Sequence, residues 1–246
     1  MGGGLLGVGA AATLLLAGCA AETEGTMGNQ TAPSVSTGQP GGSGSENSQA
    51  TAALIDAVTA NDAAGVTRAL ENGANIEARS GSNQTPLIAA TKANSIAAAR
   101  ALIEAGADVN AKDGIQDSAY LYAGAEGYNE ILTLTLANGA DLASTNRYGG
   151  TALIPAGEHG HVETIRLLLD AGVDPDHINN LGWTALQEAV LLGTDGPDHQ
   201  ESVKLLIAGG ADVNLRDSTG NTPLKNAEDR GSAKLAALIK AAGGHR

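Results

Sequence analysis

The chain has 246 residues and a net charge of −13, from 14 basic and 27 acidic side chains. A nucleic-acid-binding protein needs Lys and Arg against phosphates, so this balance argues against that class and favours neutral or basic partners. Aromatic residues make up only 2% of the chain and phenylalanine is absent, so a core must be built from Ala, Leu, Ile and Val. These small side chains suit closely packed helices better than a compact globule.

The first predicted element is an uncharged apolar run from Leu5 to Gly18, followed by the chain's one cysteine, Cys19. The run is shorter than the roughly 20 residues that span a membrane, and it fits the apolar region of a secretory signal. It closes as "LAGC" (16–19), which resembles the lipobox of bacterial lipoproteins. The resemblance implies that residues 1–18 are a signal peptide and that Cys19 becomes the lipid-bearing N-terminus. The usual basic segment before the run is missing, so an uncleaved apolar tail is the alternative.

The next segment is rich in Gly, Ser, Thr and Ala and has almost no large apolar side chain. Such a composition cannot bury enough apolar surface to offset the entropy lost on ordering. We therefore predict that residues 19–49 form a lipid-anchored, disordered linker with a reach of about 30 Å. This arrangement predicts a protein of the bacterial cell envelope, outside the cytoplasm, whose lipid anchor is its only membrane contact.

The rest of the chain repeats itself every 33 residues, with one interval of 38. A hydroxyl residue marks the same position in five copies: Thr85, Ser118, Thr151, Thr184 and Thr222. Ala52 begins a weaker first copy, and self-similarity at this period is typical of a solenoid. The predicted domain covers residues 50–246, with repeats at about 50–79, 80–112, 113–145, 146–178, 179–216 and 217–246.

The repeated motif resembles the ankyrin repeat. The family's T-P-L-H-x-A pattern appears as "TPLIAA" (85–90) and "TALIPA" (151–156), and its G-A-D-V-N is unchanged at 106–110 and 210–214. The resemblance implies an all-α solenoid of six helix–turn–helix repeats with β-turn tips, preceded by the disordered linker. The family's histidine in T-P-L-H is replaced in every copy, so its bonds between neighbouring loops are expected to be absent.

Residue chemistry supports two helices in each copy. The hydroxyl at the start of the motif is a good N-cap for the first helix, and Pro86 and Pro223 stand where the first helical residue needs no N–H. The turn between the helices carries Gly127, Gly160 or Gly193, which tolerate positive φ. The second helix carries a stripe of large apolar residues that one copy cannot bury alone but stacked copies can.

The segment "GEHGHVETI" (157–165) contains histidines and glutamates, residue types that bind zinc or act as general bases. Within the repeat, however, Gly160, His161 and Glu163 match the family's G-H-x-E, which forms the turn and the start of the second helix. These residues therefore have a structural interpretation. His159 lies at a variable position and stays a candidate for contact with a partner.

Five extra residues in the fifth copy leave a metal hypothesis open. They bring Asp195, Asp198 and His199 towards the edge of the solenoid that carries His161. No spacing among these residues matches a known set of metal ligands, and solvated loops are often acidic. We therefore predict no metal and no cofactor.

Partner-binding candidates are the variable side chains of the turn tips and first helices, which together form a concave groove in the ankyrin family. They are Ile115, Tyr122, Glu126, Arg147, Tyr148, His159, Leu181, Trp183 and Glu188. Tyr148 and Trp183 rank first, because aromatic side chains are common anchors of interfaces. Packing across neighbouring tips is the alternative role for such large side chains.

The sequence predicts a non-catalytic, monomeric module that binds an unknown partner protein. An envelope scaffold without a single dedicated ligand is the alternative. An enzyme is less well supported, because no catalytic triad, phosphate-binding loop or metal-ligand pattern is visible and catalysis needs such groups in one pocket.

Overall fold

Residues 43–246 are described by a computed structural model of the chain. The predicted signal peptide, Cys19 and most of the predicted linker lie outside the described residues. The described part contains twelve α-helices and no strand, arranged as six helix–turn–helix pairs, so the predicted all-α ankyrin-type solenoid is confirmed. The helices are α1 Ser43–Thr59, α2 Ala63–Glu71, α3 Pro86–Lys92, α4 Ile96–Glu104, α5 Ala119–Glu126, α6 Asn129–Ala137, α7 Leu153–His159, α8 Val162–Ala171, α9 Ala185–Leu191, α10 Pro197–Ala208, α11 Pro223–Asp229 and α12 Ala233–Ala241.

The helices stack in two layers. The first helix of each pair packs on the first helix of the next pair, and the second helices do the same, so most contacts run between neighbouring repeats. Small residues make the first layer tight: a methyl group on Gly157 would lie 2.7 Å from the carbonyl oxygen of Ala185. Fully buried leucines such as Leu87, Leu153 and Leu186 fill the space between the layers. The solenoid therefore closes its core without phenylalanine, as the composition predicts.

Helix α1 starts earlier than the predicted domain boundary. It begins at Ser43, so residues 43–49, which the sequence places in the linker, are helical. The packed part of this helix begins at Ala50: Ala50 and Leu54 are buried and the hydroxyl of Thr51 accepts the backbone N–H of Asn75 at 2.9 Å, whereas residues 47–49 are exposed. Residue 50 is thus inside the first helix and not at its start.

The predicted N-caps are present in four of the five copies that carry the motif. The hydroxyls of Thr85, Ser118, Thr184 and Thr222 each accept the N–H of the residue three positions later. Thr151 differs, because its hydroxyl is buried and has no partner. Pro155 has no N–H to bond to the carbonyl of Thr151, and the N–H of Ile154 bonds to that carbonyl instead, at 3.2 Å.

The turn between the two helices matches the prediction at Gly160, whose φ is +70°, but not at Gly193. Gly193 has no positive φ. Its small size is needed for packing instead, because a methyl group there would collide with the ring of His199. The extra residues of the fifth repeat replace the short turn. A glycine is thus required at position 193, but for close packing against His199 and not for a positive φ.

Five tips connect successive repeats and share one backbone hydrogen bond. In each, the N–H of the first residue bonds to the carbonyl of the fifth. We number them by the repeat they begin: tip 2 (80–84), tip 3 (113–117), tip 4 (146–150), tip 5 (179–183) and tip 6 (217–221). Adjacent tips are also linked, since Asn180 donates its N–H to the carbonyl of Tyr148 at 2.9 Å.

One loop-to-loop bond expected to be absent is restored by a different side chain. Gln187 occupies the position of the family's histidine, and its Nε2 donates to the carbonyl of Leu215 at 2.9 Å. Its Oε1 also accepts the N–H of Thr184 at 2.8 Å, which completes a capping box at α9. Repeat 5 is therefore joined to repeat 6 despite the missing histidine.

The insertion of the fifth repeat is hydrogen-bonded to the last repeat, a contact that we call the clip. Both carboxylate oxygens of Asp195 accept backbone N–H groups at the start of α12, from Lys234 at 3.2 Å and Leu235 at 3.0 Å. Arg230 donates to the carbonyl of Gly193 at 3.1 Å. Ser232, the N-cap residue before α12, makes no side-chain cap of its own, so Asp195 supplies the cap from the preceding repeat.

Replacing Asp195 should loosen the C-terminal repeat. We expect Asp195→Ala to lower the free energy of unfolding by about 1 kcal/mol, the usual cost of a lost helix cap. Amide hydrogen exchange should quicken most at Lys234 and Leu235. Asp170→Ala removes the same charge from an exposed site on α8 and serves as the control. Equal stability of the two variants in urea denaturation would show that the clip contributes nothing.

Candidate protein-binding site

Tips 3 to 5 and the first helices beside them surround one concavity of about 230 Å³. Six of the nine predicted contact residues line it: Tyr122, Glu126, Arg147, Tyr148, His159 and Glu188. Asp117, Pro155, Glu158 and Asn179 also contribute to the wall. Small-molecule sites usually enclose about 300–1,000 Å³. This concavity is smaller and suits one protruding side chain better than a cofactor.

The other three predicted residues lie on the tips outside the concavity. Ile115 on tip 3 and Leu181 on tip 5 are 49% and 52% exposed, while Trp183 is half-buried. Tyr148 on tip 4, which does line the concavity, is 54% exposed. Large exposed apolar side chains therefore occur on three successive tips, and one of them, Tyr148, lines the concavity.

Tip 4 holds a cation against an aromatic ring. The guanidinium carbon of Arg147 lies 4.6 Å from the centre of the Tyr148 ring, and its Nη1 lies 3.9 Å from an oxygen of Asp117. The contact with Tyr148 raises the pKa of Arg147. The positive charge of Arg147 is therefore held between Tyr148 on tip 4 and Asp117 on tip 3.

A lysine neutralises the acidic residues of tip 3. Lys92, at the end of α3, bonds to Asp113 at 2.7 Å and lies 3.7 Å from Asp117. Its ammonium group is also 5.2 Å from the centre of the Tyr122 ring. Both carboxylates are largely buried, so this cation compensates for their loss of hydration.

The acidic residues near tip 5 have no such cation. Glu188 is only 6% exposed, and its Oε1 accepts the side-chain N–H of Asn179 at 2.7 Å. No Lys or Arg among residues 43–246 lies within 4.0 Å of Glu188 or of its neighbour Glu158. Burial, together with the charge of Glu158, raises the pKa of Glu188 from 4.5 to about 7.

Sequence reasoning missed Glu158, although the period could have revealed it. Glu158 stands 66 residues after Lys92, which is two periods of 33. The position that carries a cation in repeat 2 therefore carries an anion in repeat 4. Comparing charges at equal positions of the repeats would have singled out Glu158, although not its proximity to Glu188.

The histidines near the insertion have packing roles. His199 is the counterpart of His161 after the interval of 38, and its Nε2 lies 2.8 Å from the carbonyl oxygen of Glu158. Its ring packs against Gly160, as the ring of His161 packs against Gly127. Burial and the adjacent His159 lower the pKa of His161.

The structure gives no geometry for a metal site in this region. Both carboxylate oxygens of Asp195 accept backbone N–H groups at the start of α12. Within the described part of the chain, no three His, Cys, Asp or Glu side chains are grouped in a way that could hold a metal ion. His159 is exposed, 5.5 Å from the ring of His161, and lines the concavity.

Paired helices, bonded tips and a concavity between tips and first helices define a helical repeat protein. The sequence profile described as "Ankyrin repeats (3 copies)" matches residues 13–113 and 120–217, so the chain belongs to the ankyrin repeat family. Members of this family are generally non-catalytic and act in protein–protein interaction.

Solved ankyrin structures resemble the chain over most of its length. An ankyrin repeat domain from Acinetobacter baumannii AYE is 54% identical, with a TM-score of 0.76 over 78% of this chain and 98% of that one. The ankyrin repeat protein EF0377 is 41% identical, with a TM-score of 0.74 over 78% of this chain and 97% of its own.

A shorter match in sequence connects the chain to a protein of Escherichia coli K12. The ankyrin repeat protein YahD is 43% identical over 58 residues, which are 24% of this chain and 29% of YahD.

No helix between residues 43 and 246 is both long enough and apolar enough to cross a membrane.

The raised pKa of Glu188 predicts a specific dependence of stability on pH. Between its ordinary pKa of 4.5 and about 7, the folded chain binds more protons than the unfolded chain, so stability falls as pH rises through this range. Glu188→Gln should remove this fall and be more stable than the parent at pH 8, by up to about 3 kcal/mol. Urea denaturation between pH 4 and pH 8 measures the effect.

Glu130→Gln removes the same charge from an exposed position on α6 and is the matched control. It should keep the pH dependence of the parent. If Glu188→Gln behaved like Glu130→Gln at every pH, the carboxylate of Glu188 would not be destabilising.

Proposed function

We propose that this protein is a non-catalytic binding module that holds a partner protein on the surface of tips 3 to 5 and helices α5, α7 and α9. The observation that carries the proposal is the convergence of six predicted contact residues on one concavity. The exposed side chains of Ile115, Tyr148 and Leu181 on adjacent tips add apolar surface. Interfaces typically combine such exposed anchors with a recessed polar pocket.

We also propose that a lipid on Cys19 attaches the module to the bacterial cell envelope, outside the cytoplasm. The support is the sequence alone: the lipobox-like "LAGC" and the Gly- and Ser-rich segment after it. Several acyl chains on one cysteine hold a protein firmly on a membrane. The linker would then let the repeats, acting as a monomer, reach a partner near the surface.

An envelope scaffold with many weak contacts is the second candidate. The exposed apolar residues on three successive tips are compatible with it, since each could contact a different protein. The recessed pocket favours the dedicated binder, because a concave site with a buried carboxylate selects a particular side chain.

Lipidation can be tested directly in bacteria grown with labelled palmitate. We expect the full-length chain to incorporate the label and to fractionate with membranes, and Cys19→Ala to do neither. Cys19→Ser, which preserves the size of the side chain but not the thiol, should also stay unlabelled. Retention of Cys19→Ala in the membrane fraction would contradict the lipid anchor.

Binding can be tested by crosslinking the full chain in native membranes and identifying captured proteins by mass spectrometry. We expect one partner in stoichiometric amount, with capture reduced about tenfold by Tyr148→Ala or Leu181→Ala. Ile55→Ala is the matched control, since Ile55 on α1 is 51% exposed and far along the array from tip 5. A diffuse set of proteins, unaffected by these changes, would favour the scaffold.

A further inference from the structure

Glu188 is a buried carboxylate whose charge is not compensated by the chain. Its side chain lines the concavity, Asn179 bonds to one of its oxygens, and the other oxygen has no hydrogen-bond donor among residues 43–246. The adjacent Glu158 adds a second negative group to the same wall. A buried charge is costly unless it is paired, so a positive group bound here would be strongly favoured.

The repeats themselves show what such a positive group looks like. At tip 3 the side chain of Lys92 crosses from the preceding repeat and neutralises Asp113 and Asp117. Two repeats later the position of Lys92 is taken by Glu158 and that of Asp113 by Asn179, which bonds to the buried acid Glu188 on α9. The same scaffold thus contains its own ammonium group at one level and lacks it at another. The charge that is missing at tip 5 is the kind that a lysine or arginine side chain carries.

The remaining walls of the concavity suit a cationic side chain. Tyr122 and Tyr148 contribute aromatic rings along which the stem of a long side chain can pack, and each ring already has a cation of this chain beside it, Lys92 or Arg147. The volume of about 230 Å³ admits one long side chain. Arg147 forms no ion pair with Glu158 or Glu188, because it lies against Tyr148 and towards Asp117.

We propose that the concavity receives one lysine or arginine side chain of the partner protein, whose positive group binds between Glu158 and Glu188. This inference rests on the proposed function, because it specifies the contact residue of the partner on the same surface. The net charge of −13 acts in the same direction, since an acidic protein attracts a basic surface.

The chemistry can be tested without the partner by NMR titration of the isotope-labelled full chain. The probe is Nα-acetyl-lysine methylamide, and the matched neutral probe is Nα-acetyl-norleucine methylamide. We expect the lysine probe to shift the side-chain amide of Asn179 and the backbone amides of Glu158 and Glu188 in a saturable way. Equal shifts with both probes, or none with either, would overturn the proposal.

Glu158→Lys provides a sharper variant because it copies the arrangement of Lys92 into repeat 4. The new ammonium group should neutralise Glu188, raise the melting temperature at pH 8 and weaken binding of the lysine probe about tenfold or more. A rise in stability together with a loss of binding cannot come from unfolding. Unchanged probe affinity in Glu158→Lys would overturn the proposal.

Capture of the partner separates the inference from the proposed function. If Glu158→Lys crosslinks to the partner as well as the parent chain does, the inference fails and the binding function stands. If Glu158→Lys loses the partner while Glu163→Lys, an exposed charge reversal on α8, retains it, both are supported. If the parent chain captures no protein while the lysine probe binds, the proposed function fails, and the assignment to a partner protein fails with it.

Discussion

One recurring side chain organises the tips on which the site depends. The first residue of tips 3 to 6 is Asp or Asn: Asp113, Asn146, Asn179 and Asp217. In each case its Oδ1 accepts two backbone N–H groups of its own tip. These bonds satisfy N–H groups that a loop would otherwise leave unpaired, and they fix the shape of the tip. The outward residues of the tip are therefore held on a rigid frame, whatever their identity.

The other terminal atom of that side chain, Oδ2 of Asp or Nδ2 of Asn, can bond to a side chain on a neighbouring helix. The partner of this atom differs from repeat to repeat. Asp113 uses it to bind Lys92, Asp217 accepts the side-chain amide of Asn226, and Asn179 donates to Glu188. Only Asp113 is paired with a cation. Asp217 and Glu188 each accept a neutral side-chain amide, but Asp217 also accepts two backbone N–H groups of tip 6, whereas Asn179 is the one hydrogen-bond donor to the side chain of Glu188 among the described residues. The backbone of the tips is constant, while the charges beside them vary from repeat to repeat. One fold can therefore present a binding site at one place along the array and not at another.

Periodicity predicted the fold because the structure is a sum of nearly identical local interactions. The caps at Thr85, Ser118, Thr184 and Thr222, the helix pairs and the stacking order all follow from residues inside one repeat and its neighbour. The misses occur where a residue breaks the local rule. Pro155 removed the cap of Thr151, and the insertion took Gly193 out of its turn. Pro155 is visible in the sequence, but its effect on the hydroxyl of Thr151, like the packing of His199 against Gly193, depends on atomic positions that a pattern of 33 residues does not encode.

The candidate site was only partly predictable for a related reason. Exposed aromatic and charged residues at variable positions could be selected from the sequence, and six of them do line one concavity. Which acid is buried, and whether a cation reaches it, depends on distances across two repeats. His199 shows how far this coupling extends, because it packs on Gly160 and lies 2.8 Å from the carbonyl of Glu158. The start of α10, which follows the extra residues of the fifth repeat, thus contacts the end of the helix that presents Glu158. A residue outside the concavity therefore helps to hold one of the two acids that line it.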